Sequence, residues 1–217
     1  MASNQLSETG EILKRAKAID HVPVVTTFVI RNYCNRILTN GLVIPESGRV
    51  ADHPPSVIAE GATGYMIAHK TKSSVYGSAG ILCYNISGDK IMAIRWEVRY
   101  PSHYNTLAAG ILHKRSRPNP KNSKLKYKLF REMNIRSSNS TFVKKEYNHT
   151  CEAMYYPGDG VVVEASMGMT RRPLIEIAVY PRKVEHLADN WKSKISQAHL
   201  DSNSLRAQKA AGYDDDA

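Results

Sequence analysis

No set of side chains in this 217-residue sequence is spaced for covalent chemistry. It has no phosphate-cradling glycine loop, no nucleophile elbow and no His-x-x-x-His zinc helix. His103 and His113 are placed too far apart and too loosely to argue a metal site, and Glu164 and Glu176 fall in strand-like segments where an outward carboxylate is ordinary. An enzyme, a metal and a cofactor are therefore not expected. The groups that still have chemistry to do are phenols and cations. Tyr100 and Tyr104 bracket a Pro-Ser-His loop, and a proline-containing connection at 113–128 carries Lys114, Arg115, Arg117, Lys121, Lys124, Lys126 and Lys128. The formal net charge of +10 suits an anionic partner, whether a lipid surface, a nucleic acid or an acidic glycan, the plainer alternative being solubility alone. No base-stacking aromatics interleave the basic run at 113–124, so nucleic acid is not expected as the partner.

The elements that must position these groups read mainly as β-structure. Residues 81–86 are apolar, Ser87-Gly88-Asp89 supplies turn chemistry, and residues 90–100 alternate Ile91, Ala93, Arg95, Glu97 and Arg99 against Met92, Ile94, Trp96, Val98 and Tyr100. That is a hairpin with a half-buried second strand, which puts Trp96 in a core. Further strands are expected at 37–44, 56–58, 64–69, 107–112, 142–147, 153–156, 161–167 and 173–180. Short strands at such intervals predict an antiparallel β-sandwich. Residues 6–22 place Leu6, Ile12, Leu13, Ala16, Ile19 and Val22 on one helical stripe that Pro23 should interrupt. The apolar run at 24–30 suits helix or strand equally. A short helix is expected at 124–133, and Leu187, Trp191, Ile195, Ala198 and Leu205 trace a helical stripe in the tail. The chain thus divides into an amphipathic segment 1–36, a sandwich 37–182 and a helical or disordered tail 183–217.

Mean hydropathy of −0.41 is that of a soluble chain, and no apolar run approaches the length of a membrane helix. Met1–Gln5 lacks a secretory signal, so none exists or it was removed. Cys34, Cys83 and Cys151, odd in number and far apart, are expected as buried free thiols. Sequons at Asn85, Asn139 and Asn148 matter only in a secreted chain.

The order Gly80-Ile-Leu-x-Tyr84, a Ser87-Gly88-Asp89 turn, and a strand ending Val98-x-Tyr100 before an aromatic loop resembles, without a gap, the central hairpin of the actinoporins, a family of small pore-forming cytolysins. Gly158-Asp-Gly160-Val161, Met167 and Leu174-Ile-Glu-Ile177-Ala-Val179 look like that family's last hairpin. Arg36-Ile37 with Glu46-Ser47-Gly48-Arg49 is similar to its first strand and turn. The resemblance covers roughly 35–182, leaving the tail outside.

The resemblance implies a secreted, water-soluble sandwich that binds membrane lipids through phosphocholine or anionic headgroups. An N-terminal amphipathic helix, here Ile12, Leu13, Ala16, Ile19 and Val22, would then detach and line a cation-permeable pore of several copies, lysing the target cell. Its headgroup cradle carries over to Ala79, Glu97, Arg99, Tyr100 and Tyr104, with Tyr127 and Phe130 on the second helix. The sequence departs from the family here: Glu97 stands for a small hydroxyl residue, Arg99 for a proline, and the loop has no tryptophan. Arg99 would repel a choline, whereas Arg99, Arg115 and Arg117 would attract anionic headgroups. Fruit-body lectins share this architecture, so the alternative is a non-lytic lectin-like or lipid-binding module.

Overall fold

The computed structural model describes residues 2–101, 104–134, 138 and 140–210, apart from the side chains of 2–8 and 123–127. His103, Asn139, the tail from residue 211 and the side chains of Leu6, Leu125 and Tyr127 lie outside the described residues. The alternating segments form strands in chain order: β1 (Val25–Asn32), β2 (Leu38–Ser47), β3 (Arg49–Asp52), β4 (Val57–Ile58), β5 (Thr63–His69), β6 (Ser78–Asn85), β7 (Lys90–Val98), β8 (Asn105–His113), β9 (Val143–Tyr147), β10 (Met154–Gly158), β11 (Val161–Met167) and β12 (Leu174–Pro181). They make two six-stranded sheets, ordered β10-β11-β12-β1-β5-β3 and β4-β2-β6-β7-β8-β9. The expected sandwich is thus present. One pairing departs from the antiparallel rule: β1 runs parallel to β12, with Thr27 opposite Leu174 and Asn32 opposite Val179.

The inward faces meet in one core that includes Phe28, Ile30, Met66, Ile94, Trp96, Val163 and Ile177. Trp96 is fully buried, its ring edge-on to Phe28 at 5.0 Å and its Nε1 donating to Ser78 Oγ at 3.2 Å, so its one polar group is satisfied. Gly80 lies opposite Trp96, where a methyl would overlap the indole and the Ile44 carbonyl. Cys34 and Cys83 are buried, and burial pushes both thiols up to about 12. Cys151 is exposed, contrary to expectation, because it sits in the connection after β9 rather than in a strand.

Helices cover the outer face of each sheet. They are α1 (Ala2–Ala18), α2 (Ser123–Met133), the short α3 (Asp189–Lys192) and α4 (Gln197–Ala210). Ile12 and Ala16 of α1, with Val22 and the half-buried Ile19, pack on Val25, Ile67 and Tyr65, the outer face of β1 and β5. On the other sheet α2 buries Leu129, Phe130 and Met133 against Ile81, Cys83, Ala93 and Ala108. Within the described residues the tail packs on the sandwich. Tyr33 stacks on Tyr180 at 4.5 Å, Trp191 meets Tyr33 edge-on at 4.6 Å, and α4 lies over β10 and β11. Its buried stripe is Leu200, Asn203 and Ala207, not Ala198 and Leu205, which are exposed.

Of the two alternatives open for 24–30, the strand holds: residues 25–32 form β1, hydrogen-bonded on both edges, to β12 and β5, inside a sheet, so the helix cannot continue through them. That strand falls within the segment 1–36 set apart as N-terminal, so the sandwich already includes it. The short polar strand β3 was not anticipated at all.

Candidate functional site

The strand registers bring a set of connections to one end of the sandwich. Val25 lies opposite His69, Ser78 opposite Val98, Val98 opposite Asn105, and Asn105 opposite Tyr147. The linker 19–24 and the connections 70–77, 99–104, 148–153 and 168–173 therefore share this end. Side chains tie them together. Asn105 Nδ2 donates to the Gly168 and Thr170 carbonyls, each at 2.9 Å. An Arg171 guanidinium nitrogen donates to the Pro101 carbonyl at 3.1 Å, and Ser47 Oγ to that of Gly77 at 3.3 Å.

Seven large hydrophobic side chains among the described residues are exposed, and four of them, Val75 (72%), Tyr76 (70%), Tyr104 (52%) and Met169 (38%), belong to this end. Scattered exposed hydrophobics are ordinary, whereas a cluster beside cations is not. The basic side chains alongside are Lys72, Arg99, Arg171 and Arg172, with Arg99 half-exposed.

Above these tips opens a groove of about 490 Å³ lined by Ala79, Glu97, Arg99 and Tyr100, together with Glu46, Ser47, Tyr76, Gly77, Arg95, Val98 and Asn134. The structure thus brings together the four cradle positions expected on the hairpin. Alternation along β7 makes this wall: Arg95 and Glu97 point outward while Trp96 and Val98 fill the core. Arg95 is almost wholly buried and bonds Glu97 at 3.1 Å and Glu46 at 3.3 Å, while Arg99 Nε donates to Glu97 at 2.9 Å. Burial pushes the Glu97 carboxyl up, but Arg95 and Arg99 outweigh it and hold the group below the usual carboxylate range. Arg95 Nε–H is buried at the groove without a hydrogen-bond partner.

Tyr100 is not an open platform. The Lys70 ammonium stands 4.8 Å from its ring centroid and the Arg171 guanidinium 5.3 Å, so two of the protein's own cations already engage the phenol. Lys70 is itself buried, donating to the Ser74 carbonyl at 2.6 Å.

Other expected residues lie elsewhere. Tyr104, immediately before β8, is exposed and does not line the groove. Phe130 is 2% exposed and packs in the layer between α2 and the sheet, because α2 turns that side inward; its ring is not offered to a headgroup. Of the residues expected on the helix, Ile12, Leu13 and Ala16 lie on α1, whereas Ile19 and Val22 lie beyond its end at Ala18; Ile12, Ala16 and Val22 face the sheet, and Leu13 and Ile19 are half-buried. Among the described residues, two arginines tie α1 and the segment after it to the body. Arg15 pairs with Asp52 at 2.6 Å, and the Arg172 guanidinium donates to the carbonyls of Ala16 (2.7 Å), Ile19 (2.9 Å) and Val22 (3.3 Å). Val75, Tyr76, Lys70, Arg171 and Arg172 were not foreseen. The only sequence signal was two apolar residues inside the turn 70–77 and an Arg-Arg pair in another.

No family model and no curated protein matches the chain. Among solved structures its fold is similar to that of the lipid binding protein Nakanori, at a TM-score of 0.60 and 16% identity over 79% of this chain and 80% of that one. RahU protein, solved in complex with a TRIS molecule, superposes at 0.41 and 6% identity over 74% of this chain and 96% of that one. The first likeness establishes a shared sandwich fold.

Proposed function

We propose that this protein docks on lipid membranes by the end that carries Val75, Tyr76, Tyr104 and Met169, with a headgroup entering the groove beside Arg99. The clustering of these four exposed side chains at one end of the sandwich is the observation that carries the reading. Removing a large apolar side chain from water is worth about 1.5–3 kcal/mol, and phenols favour the membrane interface. Each cation at the surface adds about 1 kcal/mol on an anionic leaflet. Secretion followed by action at a target membrane fits this docking mode.

We further propose that α1 then leaves the sheet and enters the bilayer with copies of itself to form a pore. No helix among the described residues is long and apolar enough to cross a membrane. The 17 residues of α1 span about 25 Å, short of a hydrocarbon core of about 30 Å. With β1 unavailable, the extra turn must come from residues 19–22. Lys14, Arg15 and Lys17 cost a few kcal/mol each in lipid, so they must face a shared aqueous lumen. Oligomerisation is thus built into the proposal.

Vesicle sedimentation and dye release test both parts. Replacing Tyr76→Ser and Tyr104→Ser together should weaken sedimentation about a hundredfold or more. Deleting residues 1–22 should abolish dye release and spare sedimentation. Undiminished sedimentation of the double variant would overturn the docking surface. Sedimentation of the full chain without dye release would overturn the pore and leave a lipid-binding module.

A further inference from the structure

We infer that Arg171 and Arg172 form a second phosphate-binding site, distinct from the groove, whose occupation by a phospholipid headgroup unlatches α1; the inference rests on the docking reading above. The two arginines lie on the connection between β11 and β12 and line an open concavity of about 820 Å³ with Pro23, Asn148, Met169 and Thr170. The mixture fits a phospholipid: Met169 projects at the docking end, where acyl chains would lie, beside two guanidiniums at phosphate depth. Arg171 is anchored by its bond to Pro101 and its place over Tyr100, and its Nε–H is buried with no hydrogen-bond partner. An N–H left unbonded in this way is a donor waiting for an acceptor.

Arg172 supplies the coupling. Its guanidinium holds the carbonyl of Ala16 near the end of α1, which also accepts from the Ile19 N–H at 3.3 Å, and those of Ile19 and Val22 just beyond it. The end of a helix carries only about half a negative charge, spread over several carbonyls. A phosphate diester carries a full charge and takes two parallel N–H bonds from one guanidinium, so it outcompetes them. Once Arg172 turns to phosphate, the carbonyl of Ala16 is free to accept the N–H of Asp20 in one further helical turn, which Pro23, having no N–H, brings to an end. The same event that releases the helix therefore allows the lengthening that spanning requires. Among the described residues Arg15–Asp52 is the remaining polar tether, exposed on the arginine side and weak in water.

The test uses the full chain and a phospholipid that is monomeric in solution, short-chain phosphatidylglycerol, so that release is read without insertion. Calorimetry reports filling of the site and amide hydrogen exchange at residues 12–18 reports the helix. Filling should speed that exchange about tenfold in the wild type. In Arg172→Gln exchange should already be fast and insensitive to the lipid, whereas Asp52→Asn, which cuts only the other tether, should keep the response. Glycerol phosphate at the same concentration should have no effect; an equal effect would make this a site for free phosphate and overturn the lipid assignment. No heat, or heat with unchanged exchange, would overturn the latch. Sedimentation of the wild type with phosphatidylcholine vesicles containing phosphatidylglycerol separates the two levels: if it persists, docking stands without the latch, and if it fails, both fall.

Discussion

The separability of α1 can be tested without any lipid, through Ile12→Ala. Ile12 is 4% exposed and is the largest side chain that α1 places against Val25 and Ile67. Truncating a buried isoleucine to alanine costs about 2–5 kcal/mol, and a small satellite cluster at the surface belongs at the lower end, about 2.5 kcal/mol. Alanine is the better helix former by about 0.4 kcal/mol, which offsets part of that loss. The net, about 2 kcal/mol, raises the population in which α1 is undocked about 30-fold. If α1 opens as a unit of its own, amide hydrogen exchange at residues 12–18 should accelerate by that factor while amides in β6 and β7 stay unchanged. Unchanged exchange in the helix would show that the apolar cluster does not hold it. Exchange rising equally in the sheet would show that α1 melts only with the whole sandwich, and the proposed release would then lack its physical basis.

Glu97→Gln removes the carboxylate shared by Arg95 and Arg99 and leaves Arg95 buried with Glu46 alone. The expected cost is about 2 kcal/mol, seen as a fall of about 4–8 °C in Tm by circular dichroism. Because the folded-state value of Glu97 is depressed, its stabilising effect is full above the unfolded carboxyl value and fades as pH falls through the folded one. The gap between wild type and variant should therefore narrow in acid, and a gap that widened would contradict the assignment. Glu164 has the opposite sign: burial raises its carboxyl above the usual range despite His199, the Tyr155 hydroxyl and Arg206 nearby. Ionising it costs stability as pH rises through that range, so Glu164→Gln should raise Tm at pH 7 and lose its advantage in acid, as thermal scans across pH would show.

Half-buried strands were the legible part of the fold. The stretch 161–167 alternates apolar and polar residues and became β11 with the expected bounds, and the 81–100 hairpin was recognisable from its turn and its alternation. β1 was ambiguous because α1 covers one of its faces and the core the other, so Val25, Phe28, Val29 and Ile30 are apolar on both sides and no period of two survives. β3 is four residues long and half-exposed, too short for a pattern. The stripe in α1 was legible, since Ile12 and Ala16 sit one turn apart. In α4 the buried Asn203 bonds His199 and takes a place that an apolar pattern cannot reveal.

For the site, the hairpin positions Ala79, Glu97, Arg99 and Tyr100 could be placed from sequence because they share one strand pair in a fixed register. Lys70 and Arg171 could not, since their meeting over Tyr100 joins three connections distant in the chain. Arg172 reaches more than 150 positions back to Ala16, a contact that only the completed sandwich creates.

The interior place of β1 has a mechanical meaning. A helix that inserted into a bilayer as proposed would tug on its tether through thermal motion, and the tether enters the body at the start of a strand bonded along both flanks. A pull directed toward the bilayer runs along that strand and loads its whole row of bonds in shear at once. A terminal strand at a sheet margin would instead be peeled off one bond at a time. The leash can therefore be strained hard at one end while the body to which it is moored keeps its shape.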